Sequence, residues 1–173
     1  GRNVYTYGAT DGVSFKCTDA TCSNLPATLK AVLDKPASCN NDGICVAGAV
    51  DNKATDRVDY LRGKEIAGFR SRVVSEAGIL PAGQFNPLGD IINSAPLYVG
   101  ASRLNLTNSS YRRYQEATLA RPKMVYVGAN DGMLHAFDAE TGEEVFTYIP
   151  KGVQHKLSAL TDPSYGSENH QYF

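Results

Sequence analysis

Hydrophobic and polar positions alternate most regularly between residues 124 and 149. Val125, Tyr126 and Val127 are β-branched or aromatic and suit a pleated strand. Asn130, Asp131 and Gly132 follow with tight-turn chemistry, since Gly adopts positive φ without steric cost and Asn and Asp tolerate it. Residues 133–137 predict a second strand, with Met133, His135 and Phe137 on one face and Leu134 and Ala136 on the other. Asp138 to Gly142 reads as a second turn, in which Asp138 holds backbone N–H groups and Gly142 closes the loop. Residues 145–149 predict a third strand, stopped by Pro150. Three strands joined by two short turns make a meander, the unit of a propeller blade.

Elsewhere the periodicity changes. Leu25, Leu29, Val32 and Leu33 share one helical face, with Pro26 near the start, which predicts a short packed helix in residues 25–33. Residues 56–62 predict a second helix, capped by Thr55 or Asp56 and ended by Gly63. Residues 63–89 read as loop, and Leu97 to Val99 as a strand. Residues 105–113 are polar and predict an exposed hairpin or loop. Residues 153–160 predict one or two helical turns. Near the start, residues 4–12 repeat the strand-then-turn pattern: Gly8-Ala9-Thr10-Asp11-Gly12 matches Gly128-Ala129-Asn130-Asp131-Gly132, with a partial copy at Gly100-Ala101-Ser102. Recurrence of this kind points to a repeat architecture.

The meander resembles the quinoprotein-type propeller repeat: Ala129, Asp131, Gly132, Leu134, Ala136, Asp138, Thr141 and Gly142 fill it position by position. Phe146 stands near the place of that repeat's tryptophan, and the chain has no Trp. The expected fold is therefore all-β: a fragment of a quinoprotein-like β-propeller, about two blades where closed rings have typically about 4–8. Residues 1–173 would form one incomplete propeller domain. Within it lie a cysteine-containing insertion (13–53), a helix and loop segment (54–96), the blade strands (97–149) and a connecting segment toward the next blade (150–173). Its edge strands would need a partner, the remainder of the same propeller.

Composition narrows the function classes. Seventeen basic residues against eighteen acidic ones give a net charge of −1, without the clustered basic excess that nucleic acid requires. No apolar run approaches the roughly 20 residues of a membrane span. The chain opens at Gly1-Arg2 without a leader, so an export signal is expected to have been removed or left out. Cys17, Cys22, Cys39 and Cys45 all fall in the insertion, at C-x4-C and C-x5-C spacings without a nearby His. Zinc sites more often use C-x2-C, so the spacing favours disulfides and an oxidising compartment over metal or free thiols. Four cysteines allow three pairings, of which the local pairs Cys17–Cys22 and Cys39–Cys45 are expected. Residues 40–43 (Asn-Asn-Asp-Gly) lack the spacing of a calcium loop and read as a turn.

A longer series then appears in order. It comprises Val58-Asp59-Tyr60-Leu61-Arg62-Gly63, Phe69-Arg70-Ser71-Arg72, Leu88-Gly89-Asp90-Ile91-Ile92-Asn93-Ser94-Ala95-Pro96-Leu97-Tyr98-Val99-Gly100, residues 125–139 and Tyr148-Ile149-Pro150. This series resembles the PilC/PilY family of type IV pilus biogenesis and tip proteins over roughly residues 56–173, plus the opening strand near Arg2 to Gly12. The resemblance implies a non-enzymatic assembly factor and tip-associated adhesin. It would support pilus extension, attachment to host cells or abiotic surfaces, and twitching motility, with minor pilins as partners. It implies a place at the bacterial surface, pilus tip, outer membrane or periplasm. The family's calcium loop of closely spaced Asp and Asn has no counterpart here, which leaves Ca²⁺ to the remainder of the domain and gives this chain no expected cofactor. Arg62-Gly63-Lys64 is the nearest string to the cell-binding Arg-Gly-Asp of some members.

Catalytic readings are weak by comparison. A hydrolase needs a nucleophile with a His and a carboxylate in reach, and G-x-S-x-G is absent. Asp131 and Asp138 could suggest a glycosidase pair, but both sit where turns favour Asp. His135 reads as a hydrogen-bonded blade residue. No catalytic, cofactor or metal residue is expected, and the alternative function is a fragment of a quinone-dependent dehydrogenase propeller. Arg70 and Arg72 read by default as ion-pair partners, with docking of an acidic partner as the second reading.

Overall fold

The computed structural model of the chain describes residues 1–37, 48–74 and 81–165. Six strands form one sheet: β1 (Val4–Tyr7), β2 (Gly12–Ser14), β3 (Leu97–Val99), β4 (Met124–Ala129), β5 (Met133–Asp138) and β6 (Glu144–Ile149). Their order is β2-β1-β6-β5-β4-β3. All neighbours are antiparallel except β1 and β6, which run parallel. The strands read from sequence as about two blades are thus hydrogen-bonded continuously in one sheet. The meander β4-β5-β6 is its centre, and the N-terminal hairpin β1-β2 extends it past β6.

Alternation along the strands sorts their side chains. Val4, Thr6, Thr147, Ile149, Met133 and His135 point to one face and are buried. Two helices cover that face, α1 (Ala27–Leu33) and α2 (Ala54–Leu61), together with a 3₁₀ segment (Lys151–Thr161). Leu25, Leu29, Leu33, Val58, Leu61, Leu157 and Leu160 join Val4, Met133 and Ile149 in a single core. The cysteine-bearing region therefore supplies core side chains. A disulfide joins Cys17 to Cys22 with Cα atoms 4.4 Å apart. Cys39, Cys45 and residues 40–43 lie outside the described residues. On the opposite face Tyr5 and Tyr126 each meet Phe146 edge-on, while Leu134 and Leu97 stay exposed.

Three local expectations need correction. Neither Thr55 nor Asp56 caps α2. The helix begins at Ala54, whose N–H donates to Asp34 Oδ1 at 3.0 Å, and Thr55 Oγ1 turns instead to Ala20 O. The cap comes from Asp34, the residue that follows α1, beyond any local sequence window. Residues 105–113 are not a hairpin or loop throughout. Asn108 Oδ1 accepts the Tyr111 N–H at 2.7 Å and starts a third helix, α3 (Ser109–Thr118). That helix buries only Thr118, whose hydroxyl accepts the Ser102 N–H, so its apolar stripe was too faint to register. The C-terminal turns run further than expected, through Thr161. Gly63, at φ 100°, does follow the last turn of α2, with its N–H on Tyr60 O and the Lys64 N–H on Asp59 O.

One buried ion pair ties the helical layer together. Arg57 is 2% exposed and donates to both carboxylate oxygens of Asp51, at 2.7 and 2.6 Å. It also donates to Leu33 O at 2.7 Å and lies against the Phe69 ring. Removing the carboxylate leaves a guanidinium buried with only Leu33 O and Thr161 Oγ1 as partners. Asp51→Ala should therefore cost about 3 kcal/mol in urea unfolding, at the low end for broken buried pairs because Asp51 is partly exposed. Arg57→Met, which deletes the charge and keeps the bulk, should cost less. Equal losses from the two changes would contradict the pairing argument.

Candidate functional site

The best-organised polar cluster lies where the β4–β5 turn meets the start of β6. Gly132 sits at φ 77°, which L side chains rarely adopt, and lets the chain reverse within one residue of Asp131. Asp131 is 1% exposed. Its Oδ1 accepts the Met133 N–H at 3.1 Å and its Oδ2 the Gly89 N–H at 3.0 Å. Gly89 is required by close approach: a Cβ there would stand 2.4 Å from the Asp131 backbone nitrogen. The Asn130 N–H donates to Asp90 O, so the 89–90 segment is laid directly across the turn.

His135, fully buried on β5, places Nε2 3.0 and 3.1 Å from the Asp131 oxygens. Its Nδ1 lies 2.7 Å from Glu144 Oε1. Glu144 reaches it because of an irregularity in β6. Pairing moves from Ala136↔Phe146 to Phe137↔Glu144, skipping Val145. Strict alternation from Thr147 would turn Glu144 away from His135, and the bulge turns it back. Arg2 completes the chain, donating Nε and Nη2 to the two Glu144 oxygens, both at 2.7 Å. Arg2 Nη1 also donates to Leu61 O, and Arg62 Nη2 donates to Arg2 O. The N-terminus, α2, the β4–β5 turn and β6 thus share one polar network.

With a carboxylate on each side, the ring satisfies both neighbours only as a doubly protonated imidazolium. Burial works against charging His135, but the bonds to Asp131 and Glu144 outweigh it and raise its pKa. Burial likewise pushes Glu144 up, and the bonds from Arg2 and His135 overcome this and hold it well below the carboxylate range. An imidazolium committed on both nitrogens has no lone pair to accept a substrate proton. Its other contacts are the Arg2 guanidinium and the stacked Phe137 ring.

The remaining sequence-derived residues are dispersed. Asp138 ends β5, at the opposite end from Asp131, and its Oδ1 accepts the N–H groups of Glu140 and Thr141. Gly142 sits at φ 75° with its N–H on Asp138 O. The two aspartates do not face one another. His155 is exposed, and His170 lies outside the described residues. Reading the sequence missed Arg2, Glu144 and the contact role of Gly89. Arg2 and Glu144 carry no local signal, since a distant terminus and a bulge bring them in.

The network gives a pH signature. A raised folded pKa for His135 stabilises fully below its usual value of 6.5 and loses that contribution as pH rises through the folded value. A depressed Glu144 stabilises above its usual value of 4.5 and loses the contribution as pH falls through its folded value. The urea midpoint should therefore be highest between these two pH values and decline on the alkaline side, and His135→Gln should flatten that decline. A wild-type midpoint that is constant or rises from pH 6.5 to about pH 9 would contradict the clamp.

Comparison with known proteins follows the same geometry. Residues 88–173 match the family model described as the PilY1 beta-propeller domain. The match begins at the segment that lies across the Asp131 turn. A type IV pilus biogenesis factor PilY1 homolog from Xylella fastidiosa is 39% identical over 134 residues, 72% of this chain and 10% of that protein. PilY1 from Pseudomonas aeruginosa strain UCBPP-PA14 is 39% identical over 131 residues, and that from strain PAO1 is 41% identical over 135. The chain spans about a tenth of the length of these curated relatives. No solved structure gives a significant match. The chain belongs to the PilC/PilY family, the PilY1-type factors of type IV pilus biogenesis, with residues 88–173 in the family's β-propeller domain.

Proposed function

We propose that the chain is a non-enzymatic, load-carrying part of a type IV pilus factor, acting at the pilus tip in assembly and extension. In this reading it contributes to attachment to host cells or abiotic surfaces and to twitching motility, and it meets minor pilins at the cell envelope. The observation that carries the proposal is the similarity to PilY1 proteins over some 70% of the chain. The bonding of His135 supports it, since both ring nitrogens are spent on structural carboxylates. The open aromatic face around Tyr5, Tyr126 and Phe146 suits packing against a further blade of the same propeller. Any Ca²⁺ dependence belongs, in this reading, to the remainder of that domain.

Deleting the coding region for residues 1–173 in the source bacterium should abolish surface pili and twitching, and restoring it should recover both. Normal piliation after deletion would overturn the proposal. The purified chain given quinone and Ca²⁺ should show no dye-linked oxidation of alcohols. Turnover there would favour the dehydrogenase reading.

A further inference from the structure

Behind the Asp131 turn lies a second polar locus that the network leaves unused. Arg70 and Arg72 flank a cavity of about 30 Å³, with Asn130 and Tyr165 among its walls. It adjoins a wider groove of about 390 Å³ that shares both arginines. The inner space suits a water molecule or a carboxylate head.

At this locus several donors have no acceptor among the described residues. The Arg70 guanidinium rests over the Tyr165 ring at 5.3 Å and makes no hydrogen bond or ion pair among the described residues. Arg72 spends one N–H, on Leu88 O at 2.6 Å. Asn130 Nδ2 is buried without a partner among the described residues. So is the hydroxyl of Tyr60, a residue 1% exposed that lies within the field of both arginines. Unmet buried donors are costly, and guanidinium donors gain most from a planar, doubly accepting anion. Asp131 acts on Arg72 through its charge, but its oxygens already accept from Gly89, Met133 and His135. Asp90 also lines the cavity.

We propose that the cleft between Arg70 and Arg72 is a carboxylate-binding site. The inner cavity takes the carboxylate head, bridged by the two guanidiniums with Asn130 Nδ2 as a further donor. The outer groove takes the group that carries it, which gives the site reach for an acidic side chain of a neighbouring polypeptide segment or for a small organic acid. Arginine in place of lysine fits this use, since the planar fork matches two oxygens at once.

The test is a titration of the full chain, isotopically labelled, at an ionic strength fixed with chloride. Ligands are acetate, a short peptide carrying one glutamate, and the same peptide with glutamine. Saturable shifts of the Asn130 side-chain amide and the Arg70 and Arg72 side-chain N–H signals are expected with the first two and not with the third. Arg70→Gln, at a partly exposed position, should weaken binding by about tenfold while leaving the backbone spectrum intact. Arg72→Gln provides a second variant, and the wild-type titration stands without either. Tighter binding of the glutamate peptide than of acetate would identify a polypeptide segment as the ligand, and equal binding a small acid. No saturable shift in the wild-type chain would mean that the cleft holds only water, and the proposal would fall. Binding undiminished in both arginine variants would overturn it equally.

Discussion

The sheet depends on a row of charges held out of water. Arg2, Glu144, His135 and Asp131 alternate in sign, each within hydrogen-bond reach of the next. Any one of them alone in that position would carry a heavy desolvation cost. Together they hold because every acceptor faces a donor: backbone N–H groups from Gly89 and Met133 complete Asp131, and Arg2 covers both oxygens of Glu144. A network satisfied in this way fixes register and orientation more sharply than an apolar contact would. It selects the bulged pairing of β5 with β6, since the regular pairing would strand Glu144 on the wrong face.

A second charge cluster works in the helical layer by the same logic. Arg57 bridges Asp51, the end of α1 and the 3₁₀ segment, through Leu33 O and Thr161 Oγ1. Arg62, next to α2's last turn, reaches both ends of the N-terminal hairpin, through Arg2 O just before β1 and Phe15 O just after β2. The two layers are therefore joined by directional bonds as well as by the shared core around Leu29, Leu33 and Ile149. The small apolar core of a short chain is supplemented by polar pins that specify how its layers meet.

Much of this was legible in the residues. The β4-β5-β6 meander announced itself by period-2 alternation and by Asp-Gly and Thr-Gly turns, and α1 by four apolar residues on one face. The PilC/PilY resemblance rested on the order of several segments, and the match at residues 88–173 and the similarity to PilY1 agree with it. What stayed hidden was non-local. The Asp34 cap on α2 acts across 20 residues, and the bulge that recruits Glu144 has no sequence marker at Val145. Helix α3 is held by Asn108 and by polar bonds to Ser102, which a search for apolar stripes passes over. His135 was readable as a bonded blade residue, but its two carboxylate partners were not.

The Arg2-to-Asp131 row cross-links the strands of the sheet by charges as well as by ladder bonds. The direct measurement of it is the nitrogen NMR spectrum of the His135 ring at neutral pH. Two protonated ring nitrogens, each coupled to its own hydrogen, are the predicted result. One protonated and one bare nitrogen would show a neutral ring, and the alternating-charge account of the sheet would be wrong.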